Sequence, residues 1–251
     1  MLTSERKALI QQVLKQDGRL VAKEFSQRLG VSEDTIRRDL RELAAERLLL
    51  RVHGGALPAS PAVADFHARE QVGSAAKTRL AQAATRLIMP NQVVFLDGGT
   101  TNVQLVRQLP RDLAVTVVTH SPSIAVELVD HPLIEVELIG GRLFKHSIVA
   151  VGAVCIETIS GIRADLFFMG ATGVHAEVGV TTGDREEAAI KRAIAEQSAE
   201  TVILATSEKL GAASPYLIMP IEEVGTIIVE PGVPDDRVKP LAARGVTMIE
   251  A

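Results

Sequence analysis

Apolar residues recur at helical spacing in the first part of the chain and in short continuous runs through the rest. Leu9, Ile10, Val13 and Leu14 stripe a first helix that Ser4 can cap and Asp17-Gly18 ends. Val21, Phe25 and Leu29 stripe a second, from about Val21 to Leu29, with Gly30 where a left-handed residue closes a helix. Ser32 caps a third, running to about Arg47, in which Ile36, Leu40 and Leu43 share one narrow sector of the helical wheel. Only Gly30-Val31 separate the second and third helices, and so tight a joint predicts a helix-turn-helix. The β-prone run LLLRVHGG, closed by Gly54-Gly55, predicts a hairpin wing.

The texture then changes twice. GGALPASPAVADF, from Gly54 to Phe66, is rich in Gly, Pro, Ala and Ser without helical periodicity and reads as a linker. From about Lys77 the apolar runs VVFLD, VTVVT, IEVELI, ADLFFMG, TVILA and TIIVE alternate with helical segments. That alternation predicts βαβ units in a mostly parallel sheet covered on both faces. The expected division is a DNA-binding-type head over 1–57, a linker over 58–70 and a larger doubly wound α/β domain over 71–251.

Composition narrows the class. Of 251 residues, 47% are hydrophobic, 23% charged and only 3% aromatic, so the core must be aliphatic. No apolar run approaches the roughly 18 residues a membrane helix needs. The first residues, MLTSERKALIQQVL, carry charges at Glu5, Arg6 and Lys7 where a signal peptide would be apolar. A soluble, cytoplasmic protein is expected. Cys155 is the only cysteine, which excludes an intramolecular disulfide and reads as a small buried hydrophobe. Residues 1–57 hold 11 Lys/Arg and 8 Asp/Glu, a net +3, whereas the remainder holds 16 and 23, a net −7. A basic head on an acidic body suits a polyanionic partner.

Charge placement within the third helix is more telling than its count. Asp34, Arg37, Arg38 and Arg41 lie opposite the apolar sector. Two readings compete. Glu33 with Arg37 and Asp34 with Arg38 are favourable i,i+4 pairs of a solvated face, each worth about 0.2–0.5 kcal/mol. Alternatively the helix enters the DNA major groove, as the second helix of a helix-turn-helix does, with its N-terminal turns on base edges. Position favours the second reading. Ser32, Glu33, Thr35 and Arg38 are then candidates for bases or nearby phosphates, Arg37 and Arg41 for phosphates, and Arg51 and His53 for contacts from the wing.

GVSEDTIRRDLREL, joined at this spacing to LLLRVHGGA, resembles the N-terminal signature of the DeoR family of bacterial transcriptional regulators, over most of residues 3–57. The resemblance implies a winged helix-turn-helix that binds double-stranded operator DNA. One departure is Arg47, where the family often has Gly.

The second domain offers a candidate pocket at its strand ends. VVFLD ends at Asp97 and runs into Gly98-Gly99-Thr100-Thr101, VTVVT ends in Thr119-His120-Ser121, and IEVELI ends in Gly140-Gly141. Glycines allow close backbone approach, hydroxyls donate, and a helix N-terminus attracts anions. Ligands in open α/β sheets bind beyond the carboxyl ends of the strands, so these three loops are expected to converge on one anion. FLDGGTT, VVTHS, LIGG, ADLFFMGATGV, EAAIKRA and the Lys209–Gly211 region also resemble the DeoR family, in its order. That resemblance implies a sensor domain related in fold to ribose-phosphate isomerases and binding a phosphorylated sugar or related metabolite. By position Asp97, Gly99, Thr100 and Thr101 would line the site. Thr119, Ser121 and Lys209 would add hydroxyls and a cation, and Glu187 and Lys191 match a further family motif. His120 stands where the family usually has Asn, which adds a group titrating near neutrality. Thr206-Ser207-Glu208-Lys209 replaces the usual Asp-x-Ser-Lys run. Together these departures predict a somewhat different effector and a pH-sensitive pocket.

His67, His131, His146 and His175 show no metal-ligand spacing, and Phe167-Phe168-Met169 reads as a buried strand. No cofactor and no metal are expected. The expected function is a DNA-binding regulator, as a repressor of a carbohydrate-utilisation operon relieved by its effector, acting as a homo-oligomer (dimer or tetramer) on a symmetric operator. An activator with the same sensor is one alternative. A sugar-phosphate isomerase using Asp97, Glu186 or Glu187 as its base is the alternative from another class.

Overall fold

The computed structural model describes residues 2–46, 48–60 and 66–251, with the backbone alone at Gln71. Arg47 and part of the expected linker therefore lie outside the described residues.

The head is built from α1 (Thr3–Asp17), β1 (Leu20–Val21), α2 (Ala22–Leu29), α3 (Glu33–Ala45), β2 (Leu49–Val52) and β3 (Gly55–Pro58). Left-handed glycines close α1 at Gly18 and α2 at Gly30, where the apolar stripes end. Ser32 caps α3 by accepting the Thr35 N–H. Ser4 is not a cap: α1 starts one residue earlier, because the Glu5 carboxylate reaches back to accept the Leu2 N–H at 2.9 Å. Ile10, Val13, Leu14, Phe25, Ile36, Leu40 and Leu43 lie in the apolar core. Across it runs a buried ion pair the apolar pattern gives no hint of, Arg6 of α1 with Asp39 of α3, whose second hydrogen bond is 2.9 Å. β2 and β3 form the hairpin wing, and β1 extends it to three strands in the order β1-β3-β2.

Within the stretch read as linker, Ala56 and Leu57 are buried, and Phe66 opens a helix, α4 (Phe66–Gln71), with its ring in the core of the second domain. Helical periodicity is hard to see over six residues, and Phe66 is its one strongly apolar anchor.

The second domain continues with α5 (Ser74–Thr85), β4 (Val93–Leu96), α6 (Thr100–Arg107), β5 (Thr116–Thr119), α7 (Pro122–Leu128) and β6 (Glu135–Leu138). Next come β7 (Arg142–Phe144), β8 (Val149–Val151), α8 (Ala153–Ser160) and β9 (Ala164–Met169). β10 (Gly173–His175), β11 (Gly179–Thr182), α9 (Arg185–Glu196), β12 (Ser198–Ala205), β13 (Tyr216–Met219), β14 (Thr226–Val229), α10 (Asp235–Ala242) and β15 (Thr247–Glu250) complete it. All six apolar runs become strands of one parallel seven-stranded sheet, ordered β15-β14-β12-β9-β4-β5-β6. Alternate residues face opposite layers. Val94, Leu96, Leu166, Phe168, Val202 and Leu204 meet α5, α6 and α7, whereas Phe95, Phe167, Met169, Ile203 and Ala205 meet α8 and α9. A three-stranded antiparallel sheet, β10-β11-β13, and the β7–β8 hairpin are additions the sequence reading did not contain. Cys155 of α8 is fully buried.

The order of the strands places the site. The chain builds β4, β5 and β6 outward in one direction, then returns to lay β9 on the other side of β4. The carboxyl ends of β4 and β9 therefore flank a topological switch point, where an open α/β sheet leaves a crevice.

Candidate functional site

On the head, the structure gathers Ser32, Glu33, Thr35, Arg37, Arg38 and Arg41 on the face of α3 turned away from the core. The hydroxyls of Ser32 and Thr35 bond each other at 2.9 Å. Arg37 pairs with Glu33 at 2.8 Å, and the Arg41 guanidinium reaches the Arg37 carbonyl. Among the described residues Arg38 forms no ion pair, with Asp34 or any other group, so its fork is available. His53 is exposed in the wing turn. Arg51 is placed differently: it borders the cleft between the wing and the second domain, with Asp184 and Tyr216 on the opposite wall.

On the second domain, the crevice at the switch point is lined by Gly98, Gly99, Thr100, Thr101 and Asn102, by Gly170, Ala171 and Thr172 after β9, and by Arg69, Lys77, Lys191 and Lys209. Gly99 takes φ +117°, which only glycine adopts without strain, and so turns the chain directly from β4 into α6. The first turn of α6 leaves its N–H groups without intrahelical partners, beside the Thr100 and Thr101 hydroxyls. Asn102 locks that turn in place by donating to the carbonyls of Asp97 and Phe168 at 3.0 and 2.9 Å.

Asp97 stands behind this loop, fully buried. Its Oδ1 accepts from His120 Nε2 (2.8 Å) and the Gly98 N–H (2.7 Å); its Oδ2 accepts from Lys191 Nζ (2.9 Å) and the Gly170 N–H (2.7 Å). Lys191 also binds Glu187 at 3.0 Å and the Gly170 carbonyl at 2.6 Å, and Thr182 donates to Glu187 at 3.0 Å. The other ring nitrogen of His120, Nδ1, faces the Ala150 carbonyl at 2.8 Å. A carbonyl and a carboxylate are both acceptors, so both ring nitrogens must donate, and His120 is an imidazolium. Burial alone would push this histidine down, but the hydrogen bond to Asp97, contact with Cys155 and the Asp97 charge outweigh it and hold it up at about 9. Burial alone would push Asp97 up, but the Lys191 charge and His120 hold it at about 2. Two cations and two carboxylates thus close a neutral network.

The convergence expected of three loops is reached by one. Thr119 donates to the Leu96 carbonyl at 2.6 Å, Ser121 to the Ile148 carbonyl at 3.1 Å, and the Ala150 N–H to the His120 carbonyl at 2.7 Å. β8 thereby covers the end of β5: His120 supports Asp97, Thr119 and Ser121 tie β5 to its neighbours, and the crevice is lined by other residues. Gly141 packs against the β8–α8 corner, where a Cβ would meet the Val151 carbonyl at 2.9 Å. β5 and β6 lie to one side of the switch point, which is why their loops do not open into it. The places they leave are taken by Arg69 of α4, Lys77 of α5 and the Gly170–Thr172 loop. The sequence carried one usable signal for these, a cluster of cations just beyond the Pro-rich stretch.

Arg69, Lys77 and Lys209 line the crevice, with Glu208 also at its wall. Burial, opposed by Glu208 and reinforced by Lys77, Arg69 and Lys191, pulls Lys209 down to about 8. Burial lowers Lys77 as well. Among the described residues Lys209 forms no ion pair. Cations held at such a disadvantage, next to a helix N-terminus, favour an anion.

A pH effect follows from His120. Its raised pKa contributes stability in full below the ordinary value of 6.5, and that contribution is lost as pH rises through about 9. The melting temperature of the second domain should therefore fall across that interval. His120→Asn, which keeps a donor toward Asp97 but cannot titrate, should flatten the profile. Calorimetry of both proteins as a function of pH checks this, and parallel profiles would refute a charged His120.

Comparison with known proteins agrees with both halves. The DeoR-like helix-turn-helix domain matches residues 6–61, and the DeoR C terminal sensor domain matches residues 73–231. The HTH-type transcriptional regulator GlpR of Haloferax volcanii is 34% identical over 253 residues, covering 100% of this chain and 98% of that protein. The HTH-type transcriptional repressor GlcR of Bacillus subtilis is 31% identical, over 92% of this chain and 89% of its own length. The glycerol-3-phosphate regulon repressor of Escherichia coli is 31% identical over 84% of each. Among solved structures, ribose 5-phosphate isomerase A of Methanocaldococcus jannaschii superposes on 53% of this chain and 52% of its own, with 16% identity and a TM-score of 0.40. A helix-turn-helix head with a free arginine on its outer face, and an α/β domain with a cationic crevice at its switch point, together with the two domain matches and the regulators similar in sequence, place this chain in the DeoR family of transcriptional regulators.

Proposed function

We propose that this regulator represses genes of carbohydrate use, and that a phosphorylated sugar or related metabolite in the crevice releases it from operator DNA. The observation that carries the reading is the cationic crevice: Arg69, Lys77 and Lys209 face the first turn of α6, where a phosphate would meet both charge and N–H donors. The glycerol-3-phosphate regulon repressor and the transcriptional repressor GlcR among its relatives support the sign. Binding as a homodimer or larger symmetric oligomer fits the single recognition helix per chain.

The buried network speaks for sensing over catalysis. Asp97, with four donors and a carboxyl held at about 2, is a poor general base, and Glu187 is tied to Lys191 and Thr182.

The test is fluorescence anisotropy on DNA from upstream of the protein's own gene, at fixed salt because affinity depends steeply on it. A panel of sugar phosphates added to the complex should contain one that releases it, and purified protein should turn none of them over. Arg38→Ala should weaken operator binding by about 1–3 kcal/mol, roughly 5- to 150-fold, without altering the fold. Unchanged affinity would remove α3's outer face from the interface.

A further inference from the structure

Both ends of the connection between head and sensor are fastened to walls of the anion crevice. On the head side, β3 runs on through Ala59 to the buried Ser60. The Ser60 hydroxyl donates to the Thr172 carbonyl at 2.5 Å, the Ala213 N–H donates to the Pro58 carbonyl, and Ala59 bridges Ala213 in parallel. Thr172 is itself a wall of the crevice. It belongs to the short loop whose other end, Gly170, is pinned to Asp97 and Lys191. The Thr172 hydroxyl bonds Ser214 at 2.8 Å, next to Ala213, which joins the loop to the segment that grips β3. On the sensor side the chain re-enters with α4, which carries Arg69 into the same crevice; the Arg69 carbonyl accepts from Lys77 and its guanidinium reaches the His146 carbonyl.

We propose that this clamp transmits effector binding to the head: an anion drawing Arg69 and the Gly170–Thr172 loop toward itself loosens the grip of Thr172 and Ala213 on Pro58–Ser60. This rests on the reading of the crevice as an anion site. The ligand acts on the connection directly, without a route through the sheet. The closed clamp is then the DNA-competent arrangement, because the effector that loosens it is the one that releases the operator. The device needs little energy, since differential contacts equal to a single hydrogen bond shift an equilibrium several-fold.

Hydrogen exchange on the full-length protein, with inorganic phosphate and then glycerol 3-phosphate as probes, tests it. In the wild type either probe should slow exchange in the first turn of α6 and speed it at the Ala213 amide. Ser60→Ala should raise Ala213 exchange about three- to tenfold without any probe, the loss of one hydrogen bond. It should keep the probe's protection of α6 and show little further change at Ala213. Protection at α6 with no change at Ala213, or a Ser60→Ala protein that responds as the wild type does, overturns the clamp and leaves the anion site standing. Absence of protection at α6 with both probes overturns the anion site and the clamp together.

Discussion

Asp97→Ala is expected to destabilise the sensor domain by about 3–5 kcal/mol, the range for removing one partner of a buried ion pair. The carboxylate is the acceptor for His120, Lys191 and the N–H groups of Gly98 and Gly170, and alanine offers none of them an acceptor. Lys191 keeps Glu187 and the Gly170 carbonyl, and His120 can shed its proton while still donating to Ala150, which limits the loss. Asp97→Asn should cost clearly less. Its amide can donate to a neutral His120 while its oxygen accepts from Lys191 and Gly170, leaving the Gly98 N–H unmet. The asparagine protein should also lose the fall in stability between neutral and alkaline pH. Denaturant unfolding of the two variants decides the matter: equal stabilities would mean that the asparagine amide restores none of the hydrogen bonds expected of it.

Gly55→Ala should cripple the head. A methyl group there would lie 1.8 Å from the Leu20 carbonyl oxygen, a backbone atom, so β1 must leave β3. With it go the pairing of Leu20 with Ala56 and of Val21 with Gly55, and the bond from the Ala22 N–H to the Gly54 carbonyl that ties α2 to the wing. Overpacking of this kind costs about 1–3 kcal/mol and sometimes more. In a head of about 60 residues each kcal/mol is worth roughly 4–8 °C in melting temperature. Operator binding should fall with the fold. The neighbouring Gly54→Asn is the control: Gly54 has φ +76° with open space around it, and Asn tolerates that conformation better than other side chains. A Gly55→Ala protein that melts with the wild type would show that β1 contributes nothing to the head.

The six long apolar runs and the caps at Gly18, Gly30 and Ser32 were legible because each depends on neighbours in sequence. A helix needs a period, a cap needs a hydroxyl or a glycine at one position, and a strand buried on both faces needs an unbroken apolar run. The same locality explains what was missed. α4, the β7–β8 hairpin and the β10–β11 hairpin are too short to show a period, and β13 joins β11 from more than 30 residues further along the chain. The Arg6–Asp39 pair joins residues 33 apart, each of which looks like ordinary helix-surface charge.

The crevice divides in the same way. The turn from Asp97 through Thr101 was readable, since Gly-Gly-Thr-Thr after a strand is a local statement about backbone and donors. Which other loops would join it was not. That depends on which strands flank the switch point, and strand order is fixed by how the two apolar faces pack. So Thr119, His120, Ser121 and Gly141, correctly seen as strand-end residues, became the support behind the site. Arg69, Lys77 and Thr172, which local pattern could not place, became its walls. The sequence by itself determined the helices of the head, the six runs of the main sheet, the outward face of α3 and the first loop of the crevice. Only the tertiary structure decided that His120 carries a proton, because that charge exists only where two acceptors from β4 and β8 are brought to opposite sides of one ring.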